Sequence, residues 1–315
     1  MKHFDATDID GLLTFESLVN TLNNAFQGEW TTPNRIHLTM SESPEKYLLL
    51  MPSWTGPSAT QYAGIKIVTS NPGNGERNLP SIHGLYYLVN GDTGQPIATM
   101  DGTRMTVWRT AAASALASTF LSRPESSVLT MVGTGALAPF MIRAHMSVRP
   151  ITEVHLWNHN IRKAHLLAEE LQAEGLPVTA HPDLVSAVGR SDIVSTATLS
   201  MTPLVFGKWL KPGTHVDAVG AFTPTRRETD DEFIRLAKIY CDTRWGATHE
   251  GGDIAMPLAD GIITEDDILG DLHDLTRGTV QGRTNSQDIT FFKSVGTALE
   301  DLAAAIAIHE SANLG

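Results

Sequence analysis

The chain has a single cysteine, Cys241, so no intrachain disulfide can form and stability must come from a packed core. Cys241 stands in Ile-Tyr-Cys-Asp, a strand-like context that suits a buried structural thiol. No Lys/Arg run of the length needed for a nucleic-acid patch is present. The formal net charge is −12, so nucleic acid and anionic membrane surfaces are repelled. No uninterrupted apolar run is long enough to span a bilayer. Residues 1–10 carry Asp5, Asp8 and Asp10 and lack the apolar stretch of a signal peptide, as expected of a cytoplasmic protein. Among the histidines, His37, His83, His145 and His249 included, no His-x-x-x-His or His-Glu-x-x-His pair has a third ligand in view, so no catalytic metal is expected.

What is present points to a globular protein of two domains. The chain has 315 residues, 42% of them hydrophobic and 18% charged, which is more than one core usually serves. Apolar residues at 15, 18, 19, 22 and 26 predict a helix with Thr14 as its cap. Tyr47–Met51, Tyr62–Thr69, Gly84–Val89 and Pro96–Met100 read as strands of a mostly antiparallel sheet. The alanine-dense stretch Met105–Leu121 reads as a helix. From Val128 onward, strands and helices alternate: strands at Val128–Val132, Glu153–Trp157, Pro177–Ala180, Asp192–Thr196, His215–Val219 and Lys238–Asp242 predict an α/β, doubly wound parallel sheet. Thr290–Glu310, with apolar residues three and four apart, predicts one long amphipathic helix. Residues 246–253 read as a polar loop.

The strand Val128–Val132 feeds Gly133-Thr134-Gly135-Ala136-Leu137-Ala138, a Gly-x-Gly-x-x-Ala turn leading into a helix. Gly133 permits the tight turn, Gly135 lets a pyrophosphate approach the backbone, and Ala138 lets the helix lie close to the sheet. The helix N-terminus offers free N–H groups to phosphate. The second strand ends at Asn158-His159-Asn160, where an NAD-specific site usually has an acid for the ribose 2′-hydroxyl. With no acid there, and with Arg162 and Lys163 nearby, NADPH is expected as cofactor, with NADH also possible.

Asp101 to Ser114 resembles the signature of the ornithine cyclodeaminase/mu-crystallin family. So do Arg35, Gly64-Ile65-Lys66-Ile67-Val68, Gly133-Thr134-Gly135 and Phe292-Lys293-Ser294-Val295-Gly296. The resemblance runs through almost the whole chain. It implies a Rossmann-type domain, residues 122–290, inserted into an α+β substrate-binding and dimerisation domain of residues 1–121 plus 291–315. It also implies a homodimer. Arg35, Lys66 and Arg109 match the family's substrate-binding cations, and Lys66 is the candidate proton donor. The implied cofactor set is Thr110, Gly133, Thr134, Gly135, Ala136, Leu137, Asn158, His159, Asn160, Arg162, Thr196, Ala197, Val219 and Ser294.

The family holds several chemistries. Ornithine cyclodeaminases carry an aspartate after the strand that here ends near Gly220, and Phe222 falls at its place. Phenylalanine can neither hold an ammonium by charge nor take a proton. An aromatic wall suits a cyclic imine, so reduction of a cyclic imino acid to L-proline or L-pipecolate is expected. The rivals are cyclodeamination, alanine dehydrogenation and non-catalytic binding.

Overall fold

A computed structural model describes residues 1–43, 45–56, 61–77 and 79–314. The chain divides into two units, Met1–Arg109 with Thr297–Gly315, and Thr110–Gly296.

In the first unit, Thr14 caps helix α2 (Phe15–Gln27), and the predicted apolar stripe of Phe15, Leu18, Val19, Leu22 and Phe26 is buried. The cap is a reciprocal box: the Thr14 hydroxyl accepts from the Ser17 amide, and the Ser17 hydroxyl accepts from the Thr14 amide. A short strand β1 (Lys2–Phe4) and helix α1 (Ala6–Leu12) precede it. The strands β2 (Ile36–Glu42), β3 (Glu45–Trp54), β4 (Tyr62–Ser70), β5 (Ile82–Asn90) and β6 (Pro96–Asp101) follow. Among the described residues they form a six-stranded sheet in the order β1-β6-β5-β4-β3-β2, antiparallel except for the β1–β6 pair.

Successive side chains of a strand face opposite sides of the sheet. Met51, Lys66 and Tyr86 are cross-strand neighbours and all are buried, and Lys66 bonds to the chain's last helix, so this face is the covered one. The other face carries the row Ile36, Leu50, Ile67, Leu85 across four strands. On it Ile36, Leu38 and Leu85 stay 47%, 43% and 42% exposed, an apolar surface left open among the described residues of the unit.

The second unit is an all-parallel sheet of β7 (Val128–Val132), β8 (Glu153–Trp157), β9 (Val178–Ala180), β10 (Ile193–Thr196), β11 (His215–Ala218), β12 (Lys238–Cys241), β13 (Ile268–Asp271) and β14 (Thr290–Lys293). Its order is β13-β12-β14-β11-β10-β7-β8-β9, which makes it a Rossmann-type doubly wound sheet whose strand order reverses between β7 and β10. Helices α3 (Gly102–Leu121), α4 (Ala138–Val148), α5 (Ile161–Ala173), α6 (Leu184–Arg190) and α7 (Asp231–Leu236) alternate with the strands. The core is built from strand residues such as Val132, Val194, Val216, Ile239 and Phe291, together with Phe233 of α7. Cys241 lies fully buried on β12, where burial pushes its thiol well above its ordinary value.

Two expectations are corrected here. Thr290–Glu310 is not one helix: Thr290–Lys293 is β14, set between β11 and β12, and helix α11 (Ala298–Leu314) starts only afterwards. Phe292 and Val295 mimic helical spacing, but Phe291 and Phe292 are both fully buried, as befits a central strand covered on both faces. Helix α11 is not amphipathic over its first two turns, since Ala298 to Ala305 are all buried, Glu300 and Asp301 included. The expected loop at 246–253 is largely helical, in α8 (Arg244–His249) and α9 (Gly252–Ala259). No helix of the described residues is long and apolar enough to cross a membrane.

Candidate active site

In the first unit the three cations expected to grip a substrate come together. Lys66 sits on the covered face of β4 and is 2% exposed. Its ammonium donates to Asp301 Oδ1 at 2.7 Å and to Thr106 Oγ1 at 3.2 Å. Arg109 on α3 donates through Nε to the same Asp301 oxygen at 2.9 Å and through Nη1 to Glu300 Oε2 at 2.8 Å. Arg35, half-buried just before β2, is close enough for its charge to lower the Lys66 pKa. Arg104 pairs with Asp10, which also accepts the Trp108 indole N–H.

Glu300 and Asp301 were not anticipated. Both are fully buried, and a charge without a partner in such surroundings is strongly disfavoured. The signal was available: two adjacent acids inside the apolar run Ala298–Ile308 require cations from elsewhere in the chain.

The arrangement sets the charge state of Lys66. Burial pushes its ammonium down to about 8, against the pull of Asp301, and the nearby charges of Arg109 and Arg35 push the same way as burial. Burial pushes the Asp301 carboxyl up, but Lys66 and Arg109 more than reverse this and hold it below its ordinary value. An amine titrating near neutrality is suited to donate a proton and be recharged from solvent. Two further polar atoms lie beside it. Asp301 Oδ2 and the Tyr86 hydroxyl are buried and have no hydrogen-bond partner among the described residues. Tyr86 is the cross-strand neighbour of Lys66, and the Asp301 charge helps burial raise its phenol. Buried polar atoms without partners commonly mark a place for a ligand or an ordered water.

In the second unit, the residues expected to hold a cofactor lie along one edge of the sheet. The Gly133 N–H donates to Trp157 O, Ala197 N–H to Val132 O, Val219 N–H to Thr196 O and Ser294 N–H to Ala218 O. These bonds tie together the carboxyl ends of β8, β7, β10, β11 and β14, the edge where ligands bind in open α/β sheets. Gly133 has φ +114°, and a Cβ there would stand 2.8 Å from Ala197 O, so both conformation and space demand glycine. A Cβ at Gly135 would meet nothing within 4 Å, which leaves that backbone open to a ligand. Ala136 is exposed and Leu137 half-buried. Leu137 is the N-cap of α4 and supplies no side-chain acceptor, so no side chain competes with an anion for the first-turn amides. The Thr134 hydroxyl accepts from Asn158 Nδ2 at 2.8 Å, and Asn160 caps α5 by accepting from the Arg162 amide. His159 and Arg162 are exposed. The buried Thr196 hydroxyl has no partner among the described residues. An open helix N-terminus, an open glycine and an unpartnered hydroxyl on one edge fit a dinucleotide.

Other expected residues have structural ties. The Ser294 hydroxyl donates to Asp242, which also takes the Val295 and Gly296 amides. Thr110 is buried on α3. The Ser114 hydroxyl of the same helix donates to Asp217 of β11 at 2.8 Å. Phe222 follows β11 and is 40% exposed, so its ring is not part of the core.

Replacing Arg109 by Met should destabilise the protein by roughly 3–5 kcal/mol in urea unfolding, because Glu300 and Asp301 stay buried while their guanidinium is lost. Replacing exposed Arg162 by Met should change stability by less than about 0.5 kcal/mol.

Residues 5–315 match the family model described as the ornithine cyclodeaminase/mu-crystallin family. The chain is 41% identical to the Arabidopsis thaliana protein SAR DEFICIENT 4, over 97% of this chain and 96% of that protein. It is 35% identical to the delta(1)-pyrroline-2-carboxylate reductase of Colwellia psychrerythraea, over 98% of this chain and 99% of that one. Among solved structures it is similar to the delta(1)-pyrroline-2-carboxylate reductase of Thermococcus litoralis in complex with NADH and L-proline. That likeness has a TM-score of 0.94 and 32% identity, and it covers 100% of this chain and 98% of that one. A match over nearly the whole sequence, together with this edge and this cation cluster, means that the chain belongs to the ornithine cyclodeaminase/mu-crystallin family.

Proposed function

We propose that the protein reduces the C=N bond of a small cyclic imino acid, Δ1-pyrroline-2-carboxylate or its six-membered homologue, to L-proline or L-pipecolate. The observation that carries this reading is the buried Lys66–Asp301–Arg109 cluster, which keeps an amine of pKa about 8 beside cations fit for a carboxylate. Arg35 and Arg109 hold the substrate carboxylate, arginine being suited to two parallel hydrogen bonds. Lys66 protonates the imine nitrogen, which raises the electrophilicity of the adjacent carbon. Hydride is the chemistry that a bound nicotinamide supplies. The reading is supported by the similarity to reductases of this substrate from Colwellia psychrerythraea and Thermococcus litoralis.

The cofactor is held along the carboxyl edge by Gly133 to Leu137, Asn158 to Asn160, Thr196, Ala197, Val219 and Ser294. Its 2′-phosphate is met by Arg162, since no acid follows β8, so NADPH is preferred and NADH accepted. Phe222 walls the substrate. Phenylalanine in place of an aspartate argues against ornithine as substrate.

The reading also includes a homodimer in which a second copy covers the open sheet face of Ile36, Leu38, Leu50 and Leu85. Sedimentation should give twice the chain mass. Leu38→Glu, at a position exposed in the single chain, should shift the protein to monomer without lowering its helix content.

The deciding assay follows loss of reduced cofactor with Δ1-pyrroline-2-carboxylate plus NADPH or NADH, with L-ornithine and L-alanine in parallel. Turnover of the imine, with no ammonia from ornithine and no reduction of cofactor by alanine, is expected. Proline and ammonia from ornithine would overturn the reading.

The pH dependence follows from Lys66. As a donor it is active when protonated, so kcat/KM should be level below pH 8 and fall above it. Asp301 raises the Lys66 pKa, so Asp301→Asn should move that fall to lower pH. Comparing the variant with wild type on one substrate cancels the imine's own ionisation. An unmoved profile would remove Lys66 from the proton-donor role.

A further inference from the structure

Glu228 lies in the segment between β11 and α7 and is fully buried. Its carboxylate takes three hydrogen bonds. Oε1 accepts from the Thr198 amide and the Thr198 hydroxyl, each at 2.7 Å, and Oε2 accepts from the Gly220 amide at 2.8 Å. Thr198 and Gly220 each stand two residues beyond a strand end, after β10 and β11 respectively. One side chain thus fastens together the two loops that carry Thr196, Ala197 and Val219. The fit is close: a Cβ on Gly220 would lie 2.2 Å from Thr198 N and 2.6 Å from Glu228 Oε1.

Glu228 is itself held from behind. Its amide and the Thr229 amide and hydroxyl all donate to Asp253 Oδ1, and Asp253 Oδ2 pairs with Lys293 Nζ at 3.0 Å. Asp253 and Lys293 are both fully buried. Burial and the Asp253 charge push the Glu228 carboxyl up, by more than Lys293 and the Thr198 donors pull it down. Each of its two oxygens nonetheless takes a backbone N–H, which can only donate, and this geometry suits the ionised form. Two carboxylates and one ammonium then leave one negative charge uncompensated inside the cluster.

We infer that Glu228 is a positioning residue that locks the loops after β10 and β11 into one floor for the nicotinamide and, with Asp253 and Lys293, places a net negative charge under it. This rests on the nicotinamide reading above. The oxidised nicotinamide ring carries a positive charge and the reduced ring does not. A fixed negative charge beneath it therefore favours the oxidised form and eases loss of hydride.

The test is binding, not turnover. Dissociation constants of the reduced and oxidised cofactors, NADPH with NADP+ and NADH with NAD+, are measured on the full chain by titration calorimetry. In Glu228→Gln the charge is gone and an amide N–H faces the Gly220 N–H. The oxidised form should bind more weakly by on the order of ten-fold relative to the reduced form. Glu228→Asp keeps the charge and loses reach, so both forms should weaken together with their ratio unchanged. Lys293→Met removes the cation and should move the ratio the other way, which decides the matter if the Gln variant does not fold. A wild-type protein that binds both forms, with a ratio unmoved in the folded Gln or Met variant, overturns the inference alone. A wild-type protein that binds neither form overturns the cofactor reading itself.

Discussion

Four charges buried in one place govern the first unit. Lys66, Arg109, Glu300 and Asp301 are each nearly or wholly out of water, and they sum to zero only when Lys66 holds its proton. Burying ions without partners costs several kcal/mol for each, so none of the four is tolerable alone. Helix α11 must therefore pack with Glu300 and Asp301 turned toward β4 and α3. Burial works against this balance and makes the Lys66 proton easier to release than that of an exposed ammonium. An incoming carboxylate brings a negative charge that Arg35 can meet. In the proposed reduction, a proton moved from Lys66 to the substrate nitrogen would leave the total unchanged, so that step would need no new charge inside a poorly solvated region.

The second unit uses buried charge for a different end. Asp242 holds the segment after β14 by accepting two backbone amides and a hydroxyl, and Glu228 holds the loops after β10 and β11 in the same way. Asp192 does so at the opposite end of the sheet, taking the Ser127 and Val128 amides and the Arg123 guanidinium. Backbone at strand ends has no ladder to satisfy it, and carboxylates supply the missing acceptors. Loops fixed by such bonds can present a ligand edge with little freedom left to lose on binding.

Much of this was legible residue by residue. Val128–Val132 and Glu153–Trp157 were read to their ends because buried parallel strands are short, continuous apolar runs bounded by turns. Thr14 announced its helix through the cap and the stripe behind it. Arg35, Lys66 and Arg109 stood out through their motifs, and they do converge. What stayed hidden depends on long-range partners. β14 is four residues long and runs straight into a spacing that looks helical. β2 shows the alternation Ile36, Leu38, Met40, but these side chains stay exposed among the described residues, so no packing partner marks the strand. Helix α1 buries only Ile9, so its polar sequence gives no stripe. Glu300 and Asp301 announce buried acids by the apolar run around them but not their partners, and Glu228 looks like a surface acid until the amides that surround it are in place.

The position of β14 has a consequence for how the chain assembles. Residues 290–293 fill the gap between β11 and β12, strands made some fifty to seventy-five residues earlier. Until they emerge from the ribosome, the parallel sheet is split, with two unpaired inner edges exposed. The residues that follow at once carry Asp301, which meets Lys66 across a separation of 235 positions. Both units therefore wait on one short stretch of late sequence: the inner strand edges stay open until residues 290–293 arrive, and Lys66 stays without its carboxylate until Asp301 does. Pairings that close so late and over so long a separation are slow in general, and they leave a chain sensitive to early release or truncation.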